Sequence, residues 1–198
     1  MFTDNLRYAG FGPRLASAVL DFIVWLPLIL LENWGVRHWR LFTVYSFIPF
    51  IILGLIYYVY LVRRFGGTPG KLMVGIRISR LDGSPIGYRE AFKRYFPDFI
   101  FGILIPLSLM APLFHMTDAE YHSLTFLERS KHLIESAPPW YKPLSWIQSI
   151  WVWSELIVLL TNKKRRALHD FIAGTVVVYK QPDQTPSPSP DARQVQDR

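Results

Sequence analysis

The chain has 198 residues, of which 51% are hydrophobic and 16% aromatic, and its formal net charge is +7. This composition is too apolar for most soluble domains of that size and lacks cysteine, which excludes a disulfide framework, a thiol nucleophile and thiolate metal ligands. The basic residues flank apolar stretches, so we expect a lipid bilayer with anionic lipids at its cytoplasmic face as the partner, and no nucleic acid.

Four apolar stretches are long enough to cross a bilayer as helices, for which about 20 mostly apolar residues are needed. The second stretch contains no charge, and it is the clearest of the four. The predicted spans are residues 15–31, 41–62, 95–114 and 144–160. The sequence therefore predicts an all-α membrane protein, namely a four-helix transmembrane bundle.

Loop charges predict how the bundle is oriented. Eight lysine and arginine residues lie within residues 63–94, between the second and third spans, and a basic run at residues 163–166 follows the fourth span. The other two loops contain two and three basic residues. Since positively charged loops stay on the inner side, we expect the middle loop and both termini to be cytoplasmic, in the inner membrane of a bacterial cell.

Two short segments beside the spans have the pattern of β-strands. Residues 71–79 alternate apolar and polar side chains, which predicts a half-buried strand, and residues 175–179 are β-prone and too short to cross the membrane. We expect them to meet in a small cytoplasmic β segment, and residues 88–95 to form an amphipathic helix that leads into the third span. Residues 1–180 then form one transmembrane domain, and the Pro/Ser-rich residues 181–198 a disordered tail.

The segment GGTPGK at residues 66–71 matches a phosphate-binding loop only in part. The nucleotide-binding pattern needs glycine at position 65 and serine or threonine at position 72, where this chain has Phe65 and Leu72. A tight turn is the better explanation, with Gly67 or Gly70 in a backbone conformation closed to other residues.

The outer loop, residues 115–143, contains potential metal ligands. Their spacing matches no helical His-Glu-x-x-His or His-x-His geometry, so we interpret them as solvated loop residues. The residues are His115, Asp118, Glu120 and His122. The sequence accordingly predicts no metal site and no cofactor.

Acidic residues within the spans are candidates for function. A charged side chain in the middle of a bilayer costs roughly 2.5–3.5 kcal/mol on insertion scales, so it normally faces a partner or a water-filled cavity. Asp21 follows Arg14 by seven residues, about two helical turns, and projects from about the same face of the first span. Asp98 and Glu155 are the other intramembrane acids, and for them a structural role and a functional role stay equally open.

Three blocks of the sequence resemble the RDD family of bacterial membrane proteins, which is named for one arginine and two aspartates. The blocks are YAGFGPRLASAVLDFIV at residues 8–24, GGTPGKLMVGIRISRLDGSPIGYREAFKRYF at residues 66–96 and KKRRALHDFIAGTVVV at residues 163–178. By this resemblance Arg14 and Asp21 match the first two signature residues, and Asp170 matches the third. The long outer loop and the tail depart from the family pattern and inherit nothing from it.

The resemblance implies little about activity, because most members have no assigned biochemistry and a few are proposed to act in cation/proton exchange or solute transport. Our leading hypothesis is a small transport or permeation component in which Asp21 binds a proton or cation and Arg14 and Asp170 form a gate or clasp. The alternative is a non-catalytic scaffold or accessory subunit that docks another protein. A homo-oligomer or a membrane-protein partner fits either hypothesis.

Two further expectations separate these hypotheses from each other and from catalysis. No nucleophile and base occur at a recognisable spacing, so the sequence predicts no catalytic residues and no enzyme. A transporter should line a cavity with Asp21, Asp98 or Glu155, whereas a scaffold should pack them against fixed partners.

Overall fold

A computed structural model describes residues 6–162 and 164–180 of the chain. Lys163 and the tail predicted to be disordered, residues 181–198, lie outside the described residues. In chain order the elements are α1 (Phe11–His38), α2 (Phe42–Leu55), a π-helical turn (Ile56–Tyr60), α3 (Leu61–Phe65), α4 (Pro69–Met73), β1 (Ile76–Arg80), α5 (Tyr88–Leu113), α6 (Asp118–Ser123), α7 (Phe126–Glu135), α8 (Tyr141–Thr161), α9 (Leu168–Ala173) and β2 (Thr175–Tyr179).

Four helical segments are long and apolar enough to cross a membrane: Phe11–His38, Phe42–Met73, Tyr88–Leu113 and Tyr141–Thr161. Large apolar side chains cover their outer faces; Leu30 is 60% exposed, and Ile150 and Trp153 are both 65% exposed. Such a surface is costly in water and favourable in lipid. The chain is thus an all-α membrane protein with a small two-stranded sheet, as the sequence predicts.

The helices extend beyond the apolar stretches from which the spans were predicted. α5 begins at Tyr88, because the amphipathic segment before the third span is continuous with it, and it runs helically through Pro97, Pro106 and Pro112. Prolines are tolerated in membrane helices since neighbouring groups satisfy the freed carbonyls. The predicted limits therefore lie inside the helices, except at residues 41 and 114, which are each one residue outside.

A two-stranded antiparallel sheet covers one end of the bundle, which we call the sheet end. β1 pairs with β2 in a register that places Ile78 opposite Val177. These two residues are buried together with Ala9 and Val62, so the sheet shares a core with the ends of the first two spans. The expected meeting of the two β segments is confirmed.

The first of these strands is shorter than predicted. Residues 69–73 form the helix α4 instead, and β1 starts only at Ile76. Pro69 occupies the first helical turn, where its fixed φ angle favours a helix and its missing N–H costs no hydrogen bond. Gly75, at φ 74°, then separates the helix from the strand. The alternation of apolar and polar side chains over residues 71–79 therefore predicts the strand correctly only in its second half.

The tight turn predicted from GGTPGK exists, but the glycine that makes it is a different one. Gly66 adopts the left-handed conformation at φ 82° and caps α3, whereas neither Gly67 nor Gly70 has a positive φ. Gly70 is required for another reason. A Cβ atom there would lie 2.3 Å from the carbonyl oxygen of Ser17 in α1, so only glycine lets α4 approach α1 this closely.

The opposite end of the bundle, which we call the loop end, is more ordered than a plain loop. Thr117 and Thr125 are the N-cap residues of α6 and α7, and their hydroxyls accept backbone N–H groups of the first helical turn. Tyr121 is buried there against Leu113. The loop between the third and fourth spans is therefore a small helical cap.

Candidate functional site

The carboxylate of Asp170 joins three helices at the sheet end. Arg14 Nη1 of α1 donates to Asp170 Oδ2 at 2.8 Å, and Arg94 Nη1 of α5 donates to Oδ1. The backbone N–H of Ala167 donates to Oδ2 at 3.0 Å, and Thr175 Oγ1 donates to Oδ1 at 3.2 Å. Asp170 is 0% exposed. This acid therefore binds α1 and α5 to the C-terminal segment through two buried guanidinium groups.

Arg14 makes further contacts that fix its guanidinium. Its Nη2 donates to the carbonyl of Arg165 at 2.8 Å and its Nε to the carbonyl of Ala9 at 3.3 Å. The signature arginine and the C-terminal signature aspartate are thus in direct contact. Arg94, the third member of this cluster, was not singled out from the sequence, where it is one of several basic residues preceding the third span.

Asp21 is held by the second span and by α4. Its Oδ1 accepts hydrogen bonds from Tyr57 Oη at 2.6 Å and from the backbone N–H of Gly70 at 2.7 Å, and its Oδ2 accepts one from Thr68 Oγ1 at 2.6 Å. Lys71 Nζ lies 3.8 Å from Oδ2. Asp21 is 8% exposed. A carboxylate with three donors and a nearby ammonium fastens α1 to its neighbours.

Glu155 of α8 pairs with His169 of α9. Glu155 Oε1 accepts the backbone N–H of His169 at 2.8 Å, and His169 Nδ1 lies 2.5 Å from Oε2. Burial lowers the pKa of His169 well below its usual range, and the positive charges of Arg94 and Arg14 lower it further. The imidazole of His169 is therefore neutral, and it lies beside the carboxyl group of Glu155.

Asp98 has a simpler environment than the other intramembrane acids. Its Oδ1 accepts a hydrogen bond from Trp151 Nε1 at 3.2 Å, which links α5 to α8. The contact lies on an exposed part of the bundle. Asp98 lines a small cavity of about 120 Å³ together with Arg94 and His169.

A cavity of about 540 Å³, which we call the sheet-end cavity, lies between α1 and α8. Its apolar walls include Phe22 of α1 and Leu156 of α8. The acidic and basic side chains that line it are Arg14, Asp21, Lys71, Arg94, Glu155 and His169. Polar groups at this depth are costly unless they serve a ligand or one another, so this cavity is the strongest candidate site of the described residues.

A second cavity of about 310 Å³, the loop-end cavity, lies among α1, α2 and α5. Glu32 lines it and accepts hydrogen bonds from Thr43 Oγ1 at 2.9 Å and Ser46 Oγ at 2.7 Å. Trp25 and Tyr58 line both cavities, and their rings stack at 6.2 Å between centroids with an interplanar angle of 6°. This aromatic pair therefore borders both cavities.

The intramembrane acids show features expected of a transporter and features expected of a scaffold. Asp21 and Glu155 line the sheet-end cavity, as a transporter would require, yet each also has fixed partners. Asp98 links two helices and lines a smaller cavity of about 120 Å³. Glu32 was missed as a candidate because it follows the apolar stretch of the first span, although it is an acid within the longer helix α1.

Comparison with known proteins agrees with the resemblance noted in the three sequence blocks. The family model described as "RDD family" matches residues 8–174, a region that includes Arg14, Asp21 and Asp170. No curated protein and no solved structure matches the chain. The match spans most of the chain's length, and the chain therefore belongs to the RDD family.

Proposed function

We propose that this protein is a small, non-enzymatic transport component that moves protons or small monovalent cations across the inner membrane of a bacterial cell. The observation that carries the proposal is the pair of cavities that meet at Trp25 and Tyr58. They occupy successive levels of one helix bundle, so a movement of this aromatic pair would join them. A transport pathway requires this arrangement of two cavities and a closed barrier.

Glu155 is the group we assign to proton or cation exchange, in place of Asp21. Asp21 accepts three hydrogen bonds, and releasing it would undo the contact between α1 and α4. Glu155 instead faces the sheet-end cavity beside a titratable partner, His169. Carboxyl groups that face a cavity within a span are the groups from which intramembrane proton relays are built.

The orientation we propose places the sheet end in the cytoplasm. The eight basic residues within positions 63–94 and the described basic residues 164–166 belong to the chain segments that precede, contain or follow β1 and precede β2. The positive-inside rule then places both termini on the cytoplasmic side and α6 and α7 outside. The sheet-end cavity would open towards the cytoplasm, and anionic lipids would surround this end.

A scaffold or accessory subunit is the second candidate, and the fixed partners of the acids favour it. Asp98 links α5 to α8 and Asp21 links α1 to α4, so both acids stabilise contacts between helices. In this case the large apolar surface of the spans would dock a second copy or another membrane protein.

The test is ion flux into proteoliposomes that contain the purified chain and a pH-sensitive or cation-sensitive dye. We expect flux from the natural sequence and a loss of about tenfold or more in Glu155→Gln, because glutamine keeps the shape and cannot exchange a proton. Glu135→Gln is the matched control, since Glu135 is exposed at the loop end and should keep full flux. Absence of flux from the natural sequence would favour the scaffold, and full flux in Glu155→Gln would remove Glu155 from the pathway.

A further inference from the structure

A third cavity, of about 430 Å³, lies at the sheet end between the end of the second span and β1. Three arginines line it: Arg63 and Arg64 from the last turn of α3, and Arg77 from β1. Ser79 lines it as well, and Gly66 contributes the backbone of the turn. This arginine cavity shares no lining residue with the two cavities of the proposed pathway.

The arginine cavity carries positive charge that no acid among the described residues neutralises. Within residues 6–162 and 164–180, no carboxylate lies within 4.0 Å of these three arginines. Other arginines of the same end are paired: Arg14 and Arg94 bind Asp170, and Arg80 binds Glu90. Three guanidinium groups around one space, without an acid, form a site for an anion.

One buried hydrogen-bond donor of the arginine cavity has no acceptor. Arg77 Nε is inaccessible to solvent and has no hydrogen-bond partner among the described residues. A charged donor left unpaired in the interior is destabilising, and an anion in the cavity would supply the missing acceptor. Arg77 therefore supplies the inner wall of the site, while Arg63 and Arg64 are exposed at its mouth.

We propose that the arginine cavity binds a phosphate group, either in the headgroup of an anionic phospholipid or in a soluble phosphate monoester. The guanidinium fork matches phosphate oxygens in pairs, which favours phosphate over a monatomic anion. Arg63 follows the uncharged second span directly, and Phe65 beside it is exposed and apolar. This places the cavity at the depth of lipid headgroups, where anionic phosphate is concentrated.

The experiment measures thermal unfolding of the full chain in a neutral detergent with three added probes. The probes are a short-chain phosphatidylglycerol, the phosphatidylcholine with the same acyl chains, and glycerol 1-phosphate. A ligand that binds the folded state raises Tm with its concentration, so the midpoint gives an apparent affinity. Arg77→Gln and Arg63→Gln are the test variants. Arg89→Gln is the matched control, because Arg89 is exposed in the first turn of α5 and does not line the cavity.

We expect phosphatidylglycerol to raise Tm for the natural sequence and for Arg89→Gln, with an apparent affinity lower by about tenfold or more in both test variants. A shift with phosphatidylglycerol alone identifies a lipid site, and an equal shift with glycerol 1-phosphate identifies a site for phosphate esters in general. Arg63→Gln keeps the test valid if Arg77→Gln does not fold. The proposal is overturned if neither anionic probe shifts Tm, if phosphatidylcholine acts equally, or if folded test variants respond as Arg89→Gln does.

Discussion

Asp170→Asn is expected to lower the free energy of unfolding by about 3–5 kcal/mol, because it leaves two buried guanidinium groups without their counter-charge. Arg14 and Arg94 both donate to this carboxylate, and their side chains are only 9% and 10% exposed. Asparagine keeps the size of the side chain, so the loss reflects charge and hydrogen bonding rather than a cavity. Thermal unfolding in detergent, with the yield of folded protein beside it, measures the effect.

The matched control is Asp118→Asn, which removes the same charge from a pair with Arg40 at the loop end, where Asp118 is 76% exposed. An exposed pair contributes about 1 kcal/mol or less, so this variant should unfold close to the natural sequence. A double-mutant cycle with Arg14→Gln should show coupling to Asp170→Asn. Equal stability of the Asp170 and Asp118 variants, or a cycle without coupling, would show that the cluster does not hold the fold.

Asp21→Asn is the second substitution with a large expected effect. It weakens three hydrogen bonds to a charged acceptor and removes the counter-charge of Lys71, for which we expect a loss of about 3 kcal/mol. The loss should appear as a lower Tm in detergent and as increased proteolysis between the second span and β1, because the Gly70 N–H and Thr68 hydroxyl attach α4 to α1.

Asp98→Asn makes the same chemical change in the third span and serves as the control. Asp98 accepts a single bond from a neutral donor, Trp151 Nε1, and an amide oxygen can accept that bond in its place. We expect a change of about 1 kcal/mol or less. If Asp21→Asn were as stable as Asp98→Asn and only flux were lost, Asp21 would be the exchangeable carboxylate and its assignment as a fastening group would be wrong.

The sequence could predict the four helices because lipid imposes a length and an apolar composition that few other environments require. It could predict β2, at residues 175–179, for a similar reason, since a short β-branched run cannot cross. It could not distinguish a strand from the helix α4 at residues 69–73, where Pro69 and the contact with α1 outweigh an alternating pattern. The capping box at Thr125 and Glu128 was a local signal for α7 that the sequence analysis did not use.

Only part of the candidate site could be predicted from the sequence. Arg14, Asp21 and Asp170 stood out through charge in an apolar context and through the family resemblance, and Arg14 indeed contacts Asp170. Arg94 could not be distinguished from its basic neighbours, because its role depends on the side of α5 that meets α9. The cavities depend on how the helices are arranged in space, and no periodicity within one helix encodes that arrangement.

Because the chain contains no cysteine, single cysteines can test most directly whether the two cavities open to opposite sides. Ala18→Cys places a thiol on the sheet-end cavity and Gly102→Cys places one on the loop-end cavity, where a Cβ atom meets nothing within 4 Å. With a membrane-impermeant maleimide we expect residue 18 to react only from the cytoplasm and residue 102 only from outside. Trp25→Ala, which removes half of the aromatic barrier, should let residue 102 react from the cytoplasm as well. Reaction of both cysteines from the same side, or no effect of Trp25→Ala, would contradict a pathway through these cavities.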